Sequence, residues 1–245
     1  MKGLLVALQF LTSIPVKIKG KITDKDLAGS MAYFPLAGLL VGALLALSYN
    51  ILVLVFPHAV VCAFIMIINV MLCGGLHIDG FIDTFDAIAS GADRKRILEI
   101  MKEGRPGAVG MASVVLLFIA EYSLLVSLPG EAVAMSLIAM AVLSRTSFVI
   151  SSAFYPYARE TEGLGKKFAG RLAKKDIITA LLTAVAVFSL IYRFKVFVFI
   201  PAACCVILAF NSYFFRKLGG VTGDTMGALG EIMEVAALAL AVALI

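Results

Sequence analysis

The chain has no tryptophan, only two histidines and four cysteines, and just 15% of its 245 residues are charged. That scarcity of charge excludes an ordinary soluble enzyme, in which about 25% of residues are charged and about 45–50% apolar. It equally excludes a disordered chain, which needs charge and little hydrophobicity. Cys62, Cys73, Cys204 and Cys205 all lie in apolar runs, with no CxxC pair and none beside a histidine. A disulfide scaffold and a zinc site are thereby excluded, and the thiols read as small packing groups. What the chain does have is apolar surface: 62% of residues are hydrophobic and mean hydropathy is +1.03. A soluble fold of this size cannot bury so much. The expectation is an all-α, polytopic membrane helical bundle forming one domain, in which a net charge of +5 reflects loops that meet anionic lipid.

Crossing a bilayer takes about 20 apolar residues. Seven such runs are expected as transmembrane helices: Met31–Phe56, Ala59–Asp86, Gly107–Leu128, Glu131–Ala153, Asp176–Arg193, Lys195–Lys217 and Met226–Ile245. Gly3–Ile14 is too short to span and is stopped by Pro15, so residues 1–30 read as an interfacial or re-entrant segment and 31–245 as the bundle. One set of loops carries Lys17 to Lys25, Arg94 to Arg105, Arg159 to Lys175 with Arg171, and Arg216-Lys217; the alternate loops, at Pro57, Pro129 and Phe194, hold only Arg193 and Lys195. Basic loops stay in the cytoplasm. The reading is a multi-pass protein of the cytoplasmic membrane with its C-terminus outside.

The chemistry concentrates in two acidic stretches. In GGLHIDGFIDTFDA, Gly74–Ala87, Asp79, Asp83 and Asp86 recur at i, i+4 and i+7 and share a helix face. Carboxylates at membrane depth are costly and mark function. Facing a cavity they suit a hard cation such as Mg²⁺; sodium or proton coupling, or a solvated helix end, also fit the spacing. In GGVTGDTMGALGEIME, Gly219–Glu234, Asp224 and Glu231 share a face, and Gly219, Gly223 and Gly227 recur every fourth residue. That glycine period lets another helix approach closely, and the backbone at Gly223 can also be aimed at phosphate. Metal candidates are therefore Asp79, Asp83, Asp86, Asp224 and Glu231. Lys102, Arg105, Arg159 and Lys166, which lie in glycine-bearing loops such as Gly163–Lys167, are candidates for anionic substrate oxygens. Acids for metal beside cations for phosphate are the parts of a phosphoryl-transfer site. Arg145, inside a span, needs either Glu121 or an anionic substrate. His77 is a candidate general base or a helix-start histidine.

These motifs, with PYAR…GLGKKF at Pro156–Phe168 and LQFLTSIPV at Leu8–Val16, resemble the adenosylcobinamide-GDP ribazoletransferase (cobalamin or cobalamin 5′-phosphate synthase) family over nearly the whole chain. One segment departs: Lys102-Glu103-Gly104-Arg105 stands where the family has a Lys-Asp-Ser-type run, so no serine hydroxyl carries over. The resemblance implies Mg²⁺-dependent joining of adenosylcobinamide-GDP to α-ribazole or its 5′-phosphate with release of GMP. Partners would be those substrates and the lipid bilayer, with no nucleic acid and with room for a homo-oligomer. Asp86 or His77 would take the hydroxyl proton, and Arg159, Lys166 and Arg145 would hold phosphate oxygens. Two other classes stay open: a CDP-alcohol phosphotransferase-like lipid enzyme, although Asp79-Gly80 is not followed by that class's Ala-Arg, and a cation-coupled transporter, although no second copy of the acidic run exists.

Overall fold

The computed structural model describes residues 2–159, 164–168 and 172–244; Gly163, Arg171 and Ile245 lie outside the described residues. Every regular element among them is helical, as expected: α1 (Lys2–Leu11), α2 (Asp24–Ser30), α3 (Phe34–Leu52), α4 (His58–Cys73), α5 (Leu76–Ala89), α6 (Arg94–Glu103), α7 (Ala108–Ser127), α8 (Gly130–Phe154), α9 (Leu164–Phe168), α10 (Lys174–Tyr192), α11 (Val196–Leu218) and α12 (Gly223–Leu244).

Five helical segments are long and apolar enough to cross a membrane, or six if the bent pair α4–α5 counts as one crossing. The chain is therefore a multi-pass membrane protein. The expected seven differs from this count at one place. Lys174–Leu218 is 45 residues of apolar helix, yet it is not one rod. The rings of Phe188 and Phe199 meet at a tilt of 48° with centroids 5.0 Å apart, whereas 11 residues of straight helix would separate them by about 16 Å. The chain folds back at Arg193, the one non-glycine residue with positive φ among the described residues, so the segment consists of two arms.

The run Ala59–Asp86 also departs from expectation. It is not a single helix: Gly74 and Gly75 both adopt left-handed backbone, with φ of 68° and 72°, and α5 leaves α4 at 93°. Left-handed backbone is cheap only for glycine, so this pair of glycines sets the break. The N-terminal segment seals it, the Ser13 N–H donating to the Leu72 carbonyl at 2.7 Å.

At the centre stands α8, an apolar helix interspersed with alanine, serine and threonine. Two of its hydroxyls turn back on their own helix: Thr146 donates to the Val142 carbonyl at 2.6 Å and Ser147 to that of Ser144 at 2.6 Å. These two hydroxyls need no partner on a neighbouring helix, and the small residues of α8 let neighbours approach closely. α3 packs on it most extensively. A Cβ on Gly38 would strike the Ala141 carbonyl and one on Gly42 the Ile138 Cα, a small-residue crossing of the kind membrane helices use.

Two sets of contacts define the ends. At one, the Tyr49 hydroxyl meets His58 Nδ1 at 2.9 Å and His58 Nε2 meets the Val126 carbonyl at 3.3 Å. At the other, Arg94 donates to the carbonyls of Leu218 at 2.7 Å and Ala158 at 3.0 Å, drawing three of the basic segments together. Overpacking a close crossing costs about 1–3 kcal/mol. Gly42→Leu is therefore expected to lower the thermal midpoint of the detergent-purified protein by several degrees, whereas Leu47→Ala, on the exposed face of the same helix, leaves it nearly unchanged.

Candidate active site

The site forms where α5 meets the start of α12. Gly80 and Gly227 allow it: a Cβ on Gly80 would press on the backbone of Asp224, and one on Gly227 on that of His77. Thr222 starts α12 through a reciprocal cap, its hydroxyl accepting from the Thr225 N–H at 3.1 Å and the Thr225 hydroxyl accepting from its own N–H at 2.8 Å. The stretch just before is fixed to the loop after α8 by an isolated parallel bridge, Tyr157 to Val221, with Ala158 N–H on the Val221 carbonyl at 2.8 Å and Val221 N–H on the Pro156 carbonyl at 2.8 Å. The bridge carries Arg159 to Asp224, a pair at 2.5 Å. Burial pushes the Tyr157 phenol above its ordinary pKa, with the neighbouring Arg159 charge acting in the opposite sense.

A cavity of about 220 Å³ opens here, with Asp79, Asp224, Arg159 and His77 on one wall. Phe10, Met31, Phe34, Phe148 and Phe168 line it as well, as do Gly165, Tyr157 and Gly223. Asp79 is exposed, while Asp83, one turn on, is 6% exposed. Asp83 lies within electrostatic reach of Asp79, Asp224 and Asp86, opposed by the Arg159 guanidinium. Lys166 sits on α9 beside Gly165; Lys102 and Arg105 are exposed, on α6 and in the link to α7.

Three expectations need correcting in role. Asp86 does not face this cavity. Its two oxygens accept from the N–H groups of Gly107 at 2.5 Å and Gly110 at 2.8 Å, so it caps the N-terminus of α7, where a carboxylate is favoured. Arg145 is fully buried and is not among the residues that line this cavity. It pairs with Glu234 rather than Glu121, and Glu234 also accepts from Asn69 Nδ2 at 2.8 Å. Glu231 stands behind His77, 3.9 Å from its Nδ1, on a small inner cavity shared with Asn69, Cys73 and Glu121. Among the described residues, no three His, Cys, Asp or Glu side chains are grouped so as to hold a metal ion. Of the two expected bases, His77 lines the aromatic-walled cavity and Asp86 does not.

Sequence reasoning missed the aromatic wall. Its members come from α1, α3, α8 and α9, and no spacing within any one helix marks them as neighbours. It also missed Gly80 as a contact point; a glycine between two aspartates of one helix was the available signal.

A family profile described as Cobalamin-5-phosphate synthase matches residues 3–242. Proteins named adenosylcobinamide-GDP ribazoletransferase are similar throughout. The one from Syntrophobacter fumaroxidans is 37% identical, over 94% of this chain and 93% of its own. That from Acetivibrio thermocellus is 34% identical, over 96% and 94%, and that from Clostridium acetobutylicum 32% identical, over 95% and 92%. No solved structure matches the chain.

Breaking a buried ion pair from one side costs about 3–5 kcal/mol, more than removing both charges. Arg145→Met is accordingly expected to cut the yield of folded protein sharply, and Arg145→Met combined with Glu234→Met to restore most of it, as read by size-exclusion profile and thermal midpoint.

Proposed function

Because the chain belongs to the cobalamin-5-phosphate synthase family, we propose that this cavity joins adenosylcobinamide-GDP to α-ribazole or its 5′-phosphate and releases GMP. The observation that carries the reading is the Arg159–Asp224 pair on the lining of an aromatic-walled recess, with Asp79 on the same lining and Asp83, itself buried, within electrostatic reach of both acids. A ribazole hydroxyl attacks the phosphorus nearer the cobinamide, the bond from that phosphorus to the GMP oxygen breaks, and His77 accepts the hydroxyl proton. Arg159 neutralises phosphate oxygens as charge builds, which counts for most where water is scarce. The aromatic wall suits the flat, apolar base of the ribazole acceptor.

The donor set also suits Mg²⁺. Carboxylate oxygens are its preferred protein ligands, and it is ordinarily held by one or two of them plus substrate phosphates. That habit accounts for a site whose ligands are not grouped before substrate arrives. Asp79, Asp83 and Asp224 would hold the ion, and its chemistry there would be to neutralise the pyrophosphate and the departing GMP. The site end carries Arg94, Lys95, Lys102 and Arg159, which supports a cytoplasmic-membrane location with the cavity facing the cytoplasm and the C-terminus outside.

GMP release from adenosylcobinamide-GDP by the purified protein tests the reading. Asp83→Asn keeps size and removes charge, and is expected to slow turnover by about 100-fold or more; a wild-type rate with Mg²⁺ would remove Asp83 from the site. Phe10→Ala is expected to raise KM for the ribazole acceptor about three- to tenfold, the scale of one lost aromatic contact, while KM for the donor holds steady. An unchanged acceptor KM would place the acceptor's base elsewhere.

A further inference from the structure

Arg159 lines a second recess as well, an open basin of about 740 Å³ walled by α6 through Asp93, Arg94, Lys95, Glu99 and Lys102. The acids of this wall are engaged locally. Asp93 accepts from the Arg96 N–H at 2.9 Å and so caps α6, and Glu99 pairs with Arg96 at 3.3 Å. The cations are differently placed. Arg94 spends its hydrogen bonds on two neutral carbonyls, those of Leu218 and Ala158, which leaves its charge unneutralised. Lys95 and Lys102 are exposed and form no ion pair among the described residues. The basin therefore presents positive charge beside the one guanidinium it shares with the aromatic cavity.

We infer that this basin is the nucleotide subsite: it holds the guanosine monophosphate portion of the donor, and the GMP released, with Lys95 and Lys102 on phosphate oxygens and Arg159 at the junction. The assignment rests on the transferase reading above and deepens it. In-line displacement needs the entering and leaving oxygens on opposite sides of one phosphorus. Two recesses that share Arg159 supply two approaches: the ribazole hydroxyl enters from the aromatic cavity, and GMP departs into the basin with the electron pair of the broken P–O bond. The contrast in lining agrees with the division of labour, since the recess with the aromatic wall lacks lysine and the basin lacks aromatic residues.

The test is equilibrium dialysis of radiolabelled GMP against the full chain in lipid nanodiscs, with donor and acceptor KM measured on the same preparations. Lys95→Glu with Lys102→Glu reverses two exposed charges in the basin, where folding is not at stake. Lys174→Glu with Lys175→Glu makes the same charge change at the start of α10, where both lysines are exposed. The basin variant is expected to weaken GMP binding at least about tenfold at low salt and to raise donor KM in parallel, with acceptor KM unmoved; the control pair should shift GMP binding far less. Equal shifts in the two variants overturn the assignment, even where the wild type still transfers. A wild type that binds GMP through Lys95 and Lys102 yet releases none from adenosylcobinamide-GDP supports the subsite and sinks the transfer reading instead.

Discussion

The site depends on a contact made without side chains. At Gly80 the backbones of α5 and α12 come together closely enough that a single methyl group would collide with Asp224, and at Gly227 one would press on His77. That approach lets carboxylates some 140 positions apart in the sequence act on one small volume. The Pro156–Ala158 bridge to Val221 then adds Arg159 from a third segment. Without the glycines the acids would remain on separate helices, each bearing alone the cost of charge near apolar surroundings.

Charge inside the bundle is used in two ways. Arg145, Glu234 and Asn69 form a bonded set deep between helices, with Cys73 joined to both Arg145 and Asn69; replacing such a set by apolar residues often costs no stability, whereas removing one partner does. Asp86 belongs with them as a structural group, since its oxygens organise the start of α7. The acids at the cavity differ because their countercharge, Arg159, is itself reachable from two recesses. A site that trades protein partners for substrate oxygens needs that incompleteness.

Much of this was legible in the residues. Apolar run lengths gave an all-helical membrane bundle, and the Asp79–Asp83 spacing with Asp224 gave the acidic face. The 93° turn at Gly74-Gly75 was not foreseen, because the apolar pattern runs through it and only backbone conformation marks it. Arg145 was misread for a related reason. An arginine inside a span declares that it needs a partner, but whether that partner is substrate or Glu234 is decided by helix rotation, which the sequence does not encode locally. The aromatic cavity wall is a tertiary product of four helices and leaves no periodic trace in any of them.

The central claim is that carboxylates of α5 and α12 act on one ion. Electron paramagnetic resonance of Mn²⁺, standing in for Mg²⁺ on the protein–donor complex, measures it directly across Asp83→Asn, Asp224→Asn and the double variant. One shared ion predicts that each single variant weakens Mn²⁺ binding and alters the Mn²⁺ spectrum, and that the double variant binds more weakly than either. An Asp83→Asn or Asp224→Asn variant that holds Mn²⁺ with wild-type affinity and spectrum would contradict it.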